Sequence, residues 1–131
     1  MIASEIANVV IAKTAAIGNG EGRKMTNLEY IAANLSDEDV LCQIAEEASE
    51  LAKAALKLRR AITQTNPAPV TVDEAIENLL EEYGDTVGSF LVWAMKNGLY
   101  GEDVYEMSNE NIESKYDRWA DRIKEGKKHG N

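Results

Sequence analysis

The chain has 131 residues, with 23 acidic against 14 basic side chains and a formal charge of -9. That length suits one domain able to bury a core without disulfides, and the negative balance argues against a protein that grips nucleic acid through its phosphates, which takes a basic surface. Cys42 is the only cysteine, so neither a disulfide framework nor a thiolate zinc cluster forms within one chain.

The start, Met1-Ile2-Ala3-Ser4-Glu5, lacks the basic stretch of a signal peptide. No apolar run approaches the roughly 20 residues that span a bilayer, so a soluble, cytoplasmic protein without membrane contact is expected. Residues 2 to 17 are rich in Ile, Val and Ala at helical spacings, with a short β segment around Val9 to Ile11 as the alternative. Gly18-Asn19-Gly20-Glu21-Gly22 breaks regular structure, and residues 1–25 read as an N-terminal extension to a domain over 26–126.

That domain reads as all-α, a helical bundle of two long antiparallel helices with shorter ones. A short helix is predicted over Leu28 to Asn34. Ser36-Asp37-Glu38-Asp39 then caps a long helix with acidic first-turn residues that suit the helix dipole. Its apolar stripe is predicted as Leu41, Ile44, Ala45, Ala48, Leu51, Ala52, Ala55 and Ile62. The helix should end between Ala61 and Gln64, because Asn66-Pro67-Ala68-Pro69 favours extended backbone. Thr71-Val72-Asp73-Glu74 is a capping box opening a second long helix that Asn97-Gly98 stops. Its buried side is predicted as Ile76, Leu79, Leu80, Tyr83, Val87, Phe90, Leu91 and Ala94, with Gly84 and Gly88 letting another helix come close. Gly101 to Met107 are expected to link to a last helix capped by Ser108 or Asn109 and carrying Ile112, Tyr116, Trp119 and Ile123. Residues 127–131 read as a polar tail.

Two carboxylate clusters carry the chemistry: Glu46-Glu47-Ala48-Ser49-Glu50 on the first long helix, and Glu82-Tyr83-Gly84-Asp85 on the second. Residues three and four apart share a helix face, so Glu47 with Glu50, and Glu82 with Asp85, make matching acidic ledges at the core boundary. Gln43 lies on the first flank, and Asn78 and Ser89 on the second. For an arbitrary helical glutamate a solvated face is the ordinary explanation, and Glu38, Asp39, Glu77 and Glu113 fit it. These four repeat one spacing and lack basic neighbours at helical spacing on every side; Arg59 and Arg60 are too far along the helix to neutralise them. Two ledges facing each other would hold a hard divalent cation that offsets their repulsion. All-oxygen ligation points to Mg²⁺, with Mn²⁺ second. A ferritin-like di-iron centre needs Glu-x-x-His motifs, and His129, the one histidine, lies in the tail.

With Glu46-Glu47-Ala48-Ser49-Glu50 followed by Glu82-Tyr83-Gly84-Asp85 and the proline linker between, the chain resembles the MazG-like all-α nucleoside triphosphate pyrophosphohydrolases, in particular their short single-domain bacterial and phage forms. The likeness spans roughly residues 28–124. It implies hydrolysis of a nucleoside triphosphate between the α and β phosphates to the monophosphate and pyrophosphate. It further implies Mg²⁺ held by Glu47, Glu50, Glu82 and Asp85, Glu46 as general base for the attacking water, and a homodimer, with a homotetramer as the higher form. The family's basic-aromatic segment matches Lys115-Tyr116-Asp117-Arg118-Trp119, which implies Lys115 and Arg118 at the substrate phosphates and Trp119, Trp93 or Tyr83 stacked on the base. This chain departs from the family pattern at Glu113, where an asparagine is usual, and in the small residues flanking the second motif. Two other readings compete: a non-catalytic acidic helical module that meets a basic protein, and an enzyme like the phosphoribosyl-ATP pyrophosphohydrolases.

Overall fold

The computed structural model describes residues 23–64 and 70–130. The extension up to Gly22, its β segment, and the Asn66–Pro69 linker lie outside the described residues. Among the described residues four helices follow in order: α1 (Asn27–Asn34), α2 (Asp37–Thr63), α3 (Val72–Lys96) and α4 (Gly101–His129). No strand occurs among the described residues, so the fold is the all-α bundle that the periodicity predicts. No helix among them is long and apolar enough to cross a membrane.

Local chemistry sets most of the boundaries. Thr26 and Glu29 form a reciprocal capping box at α1, and Thr71 and Glu74 form another at α3; each satisfies two orphan N–H groups at once. The Ser36 hydroxyl accepts from the Asp39 N–H at 3.1 Å to start α2. Gln64, with φ of 50°, closes α2 in the left-handed conformation. At the end of α3 the Gly98 N–H donates to the Met95 carbonyl at 3.1 Å and the Leu99 N–H to the Ala94 carbonyl at 2.8 Å. This is a Schellman motif, with Gly98 at φ of 70° and Leu99 buried beneath it.

Two expectations fail at α4. The link predicted over Gly101 to Met107 is helical, and so is the tail through His129. The Asp103 carboxylate accepts from the Tyr100 N–H at 2.8 Å, which caps the helix at Tyr100 rather than at Ser108 or Asn109; Lys127, Lys128 and His129 in the last turn suit its negative end.

α2 and α3 run antiparallel: Val40 and Gln43 share a cavity with Gly88 and Val92, whereas Lys57 and Arg60 share another with Asn78. The seam on α2 is Val40, Ile44, Glu47, Leu51, Ala54, Leu58 and Ala61, every one buried or half-buried, at the alternating four-and-three spacing of antiparallel helix pairs. On α3 the seam is Ala75, Leu79, Glu82, Thr86, Ser89 and Trp93. Here the predicted stripes need correction. Leu41 and Ile62 are exposed on α2, and Ile76, Leu80, Tyr83, Val87 and Phe90 are exposed on α3. The seam mixes large apolar side chains such as Ile44, Leu51, Leu58, Leu79 and Trp93 with small and polar ones, and an inward hydroxyl bonds back to its own helix: Thr86 Oγ1 donates to the Glu82 carbonyl at 2.8 Å.

α1 packs on α3, and among the described helices α4 touches only α3. Lys96 ties α1 down: its Nζ donates to the Leu35 carbonyl at 2.6 Å and the Ala32 carbonyl at 3.2 Å, and lies 3.4 Å from Asp37 Oδ1. One ammonium thus satisfies the carbonyl end of α1 and faces the acidic first turn of α2.

Candidate metal centre

Glu47 on α2 and Glu82 on α3 are both seam residues, half-buried where the helices meet, and Asp85 follows one turn after Glu82. One carboxylate oxygen from each of the three lies within 4.8 Å of the other two. The two ledges predict four converging carboxylates; the structure brings three of them together, and Glu50 is not among them. Gln43 Nε2 donates to Glu47 Oε1 at 2.5 Å, fixing that carboxylate from one turn away.

The cluster is electrostatically strained. Burial pushes the Glu82 carboxyl above its ordinary value of 4.5, and the negative charges of Asp85, Glu50, Glu47 and Glu81 raise it further. Three acidic oxygens held together, one with a raised proton affinity, are the donor chemistry of a hard cation site: deprotonated oxygens, no nitrogen or sulfur, and a charge excess for the ion to offset.

Glu50 stands just outside this trio. Its charge contributes to the shift at Glu82, yet its Oε1 takes an ion pair from Lys53 Nζ at 3.0 Å. The expectation that the four carboxylates lack basic neighbours therefore needs correction; the i,i+3 spacing of Glu50 and Lys53 is the signal that carried it. Glu46 is exposed, one position around the helix from Glu47 and outside the lining of both adjoining cavities.

Two cavities flank the carboxylates. One, of about 610 Å³, is bounded by Leu28, Ile31 and Leu35 from α1, Val40 from α2 and Val92 from α3, with Glu47 and Asp85 also on its wall. The other, of about 310 Å³, lies further along the same helix pair and includes Glu50 and Glu82 with Lys53, Lys57 and Arg60. Sequence reading missed this basic side, because lysines and an arginine on an acidic helix look like ordinary solvated charge.

The basic-aromatic residues of the last helix are elsewhere. Lys115 Nζ stacks 5.6 Å from the Trp119 ring centroid, Arg118 donates to Ser114 Oγ at 2.5 Å, and Trp119 is exposed. None of the three lines either cavity beside the carboxylates, since α4 touches α3 but not α2. Within one chain Lys115, Arg118 and Trp119 do not join Glu47, Glu82 and Asp85. Set against protein-family models, curated proteins and solved structures, the chain gives no match.

Proposed function

We propose that the protein is a Mg²⁺-dependent nucleoside triphosphate pyrophosphohydrolase of the MazG-like all-α kind. The supporting observation is the meeting of Glu47, Glu82 and Asp85 oxygens within 4.8 Å across two antiparallel helices, at the mouth of an apolar cavity large enough for a nucleobase and sugar. Glu47, Glu82 and Asp85 would hold the ion, and Glu50 would join them once Lys53 releases it. Bound there, Mg²⁺ would supply positive charge that offsets the repulsion between the acidic pocket and a triphosphate.

The chain's own residues do the rest. Leu28, Ile31, Leu35 and Val92 exclude water around the base. Water attacks the α phosphorus, the bond from that phosphorus to the α,β-bridging oxygen breaks, and pyrophosphate departs with the bridging oxygen. The water's proton passes to a carboxylate at the rim, Glu46 in the family-like assignment. The chain works as a homodimer, with a homotetramer as the higher form, which brings the exposed faces of α3 and α4 against a second copy. In such an assembly Lys115 and Arg118 reach the phosphates of the neighbouring site.

The exposed apolar face of α4 also suits a non-catalytic interaction module, and one experiment separates the two. A panel of canonical, deoxy and damaged triphosphates is incubated with the protein and Mg²⁺, and pyrophosphate release is read. The enzyme shows turnover on at least one, abolished by EDTA and reduced at least a hundredfold in Asp85→Asn with the helical circular dichroism intact. Zero turnover across the panel on metal-loaded, assembled protein overturns the proposal in favour of the module.

A further inference from the structure

On α2, Lys53, Lys57 and Arg60 recur at intervals of four and three, one stripe of one helix face. The stripe meets Asn78 and Glu82 of α3 across the cavity of about 310 Å³. Lys53 is engaged by Glu50. Among the described residues no carboxylate pairs with Lys57 or Arg60 within ion-pair distance, although Lys57 is half-buried. In a chain of net charge -9, two uncompensated cations converging on one cavity are unusual. Arg60 in the last turn also suits the helix dipole, but that accounts neither for Lys57 nor for the cavity they share with Asn78.

We infer that the Lys53–Lys57–Arg60 cavity is the subsite for the leaving pyrophosphate, so that the nucleotide lies along the α2–α3 groove with its base toward α1 and its terminal phosphates toward the carboxyl end of α2. This rests on the pyrophosphohydrolase reading and gives it a direction. The two cavities differ in chemistry as the two ends of a nucleotide do: Leu28, Ile31, Leu35 and Val92 wall one, and Lys57, Arg60 and the Asn78 amide wall the other. The carboxylates lie between them, with Glu47 and Asp85 on the first wall and Glu50 and Glu82 on the second. Guanidinium and ammonium groups donate charge-assisted hydrogen bonds to phosphate oxygens, and they stabilise the charge that gathers on pyrophosphate as the bond to the α phosphorus breaks. Lys53 has a second use: once phosphate oxygens draw its ammonium away, Glu50 is freed to ligate the ion.

The test titrates inorganic pyrophosphate, in Mg²⁺, into four proteins by calorimetry: wild type, the double variant Lys57→Gln/Arg60→Gln, the charge-conserving variant Lys57→Arg/Arg60→Lys, and the charge-matched control Lys127→Gln/Lys128→Gln at the far end of α4. Mn²⁺ binding without pyrophosphate is read on the same proteins by electron paramagnetic resonance. Loss of two charged donors weakens pyrophosphate by about tenfold or more, leaves Mn²⁺ affinity within twofold, and is rescued by Lys57→Arg/Arg60→Lys; the control stays within about twofold of wild type. Equal pyrophosphate affinity in the variant and the control, with Mn²⁺ still bound through Glu82, overturns the subsite and leaves the pyrophosphohydrolase reading standing. Wild-type protein that binds no Mn²⁺ overturns both.

Discussion

Glu82 carries the sharpest residue-scale consequence. A carboxyl with a raised folded-state pKa binds its proton more tightly folded than unfolded, so stability falls as pH rises from the unfolded value of 4.5 through the folded one. Above that window the electrostatic penalty is fully present. In metal-free buffer the wild type should therefore lose stability from just below pH 4.5 toward neutrality, and Glu82→Gln should flatten that part of the profile in denaturant titrations. Mg²⁺ should restore wild-type stability at neutral pH and do little for Glu82→Gln. Because protons compete for the same oxygens, Mn²⁺ affinity should fall as pH is lowered through the Glu82 titration. Thr71 gives a simpler case. Its hydroxyl accepts from the Glu74 N–H at 3.2 Å, and the Glu74 carboxylate accepts from the Thr71 N–H at 2.7 Å; that backbone hydrogen bond holds the Glu74 carboxyl below its ordinary value. Thr71→Ala should cost about 1 kcal/mol by chemical denaturation without changing Mn²⁺ affinity, because the cap lies three turns from Glu82.

At the scale of elements, the inward polar face of α3 decides the site. Glu82, Thr86 and Ser89 occupy seam positions that a stability-driven helix pair would fill with Leu or Val, and Ser89 Oγ bonds the Asp85 carbonyl at 2.9 Å. The seam thus gives up apolar burial to hold carboxylates at a helix–helix junction. Gly84 and Gly88 belong to the same trade. A Cβ at either meets nothing within 4 Å, so neither serves close packing within one chain, yet both lie on the wall of the larger cavity. Gly88→Ala should raise stability by about 0.5–1 kcal/mol through helix propensity while raising KM for the triphosphate, since the added methyl enters the space proposed for the nucleoside. The caps and ends of the first three helices were legible in the sequence because each depends on contacts within four or five residues; those of α4 were not. The seams were legible only in part: Ile44, Leu51 and Leu79 were read correctly, but Ala45, Ala48, Ala52 and Ala55 look as apolar as the true seam residues Ala54 and Ala61. Only the partner helix chooses between two faces of similar hydropathy.

For the whole molecule, one chain leaves too much apolar surface uncovered. Its fully buried residues are mainly alanines, with Val40 and Leu99, whereas Leu80, Tyr83 and Phe90 on α3 and Tyr116, Trp119 and Ile123 on α4 are exposed. Exposed apolar stripes of this kind suit the association proposed above, and none of the 29 residues of α4 is buried. A C₂ pair that joins these stripes would provide the missing core. Sedimentation should show a dimer or tetramer at micromolar concentration, Leu80→Lys with Trp119→Lys should dissociate it, and activity per chain should fall on dilution. Full activity in a demonstrably monomeric sample would refute the assembly.

Sequence alone determined the first three helices and their ends, since capping, proline and glycine act through the nearest few residues, and it determined that Glu47 and Glu50, and Glu82 and Asp85, share a face on each helix, since helical spacing is fixed. Tertiary structure decided which face turns inward, that Glu47, Glu82 and Asp85 converge while Glu50 answers to Lys53, and that Lys57 and Arg60 border the same groove. Those outcomes depend on the register of one helix against another, a property of the pair that neither segment carries by itself.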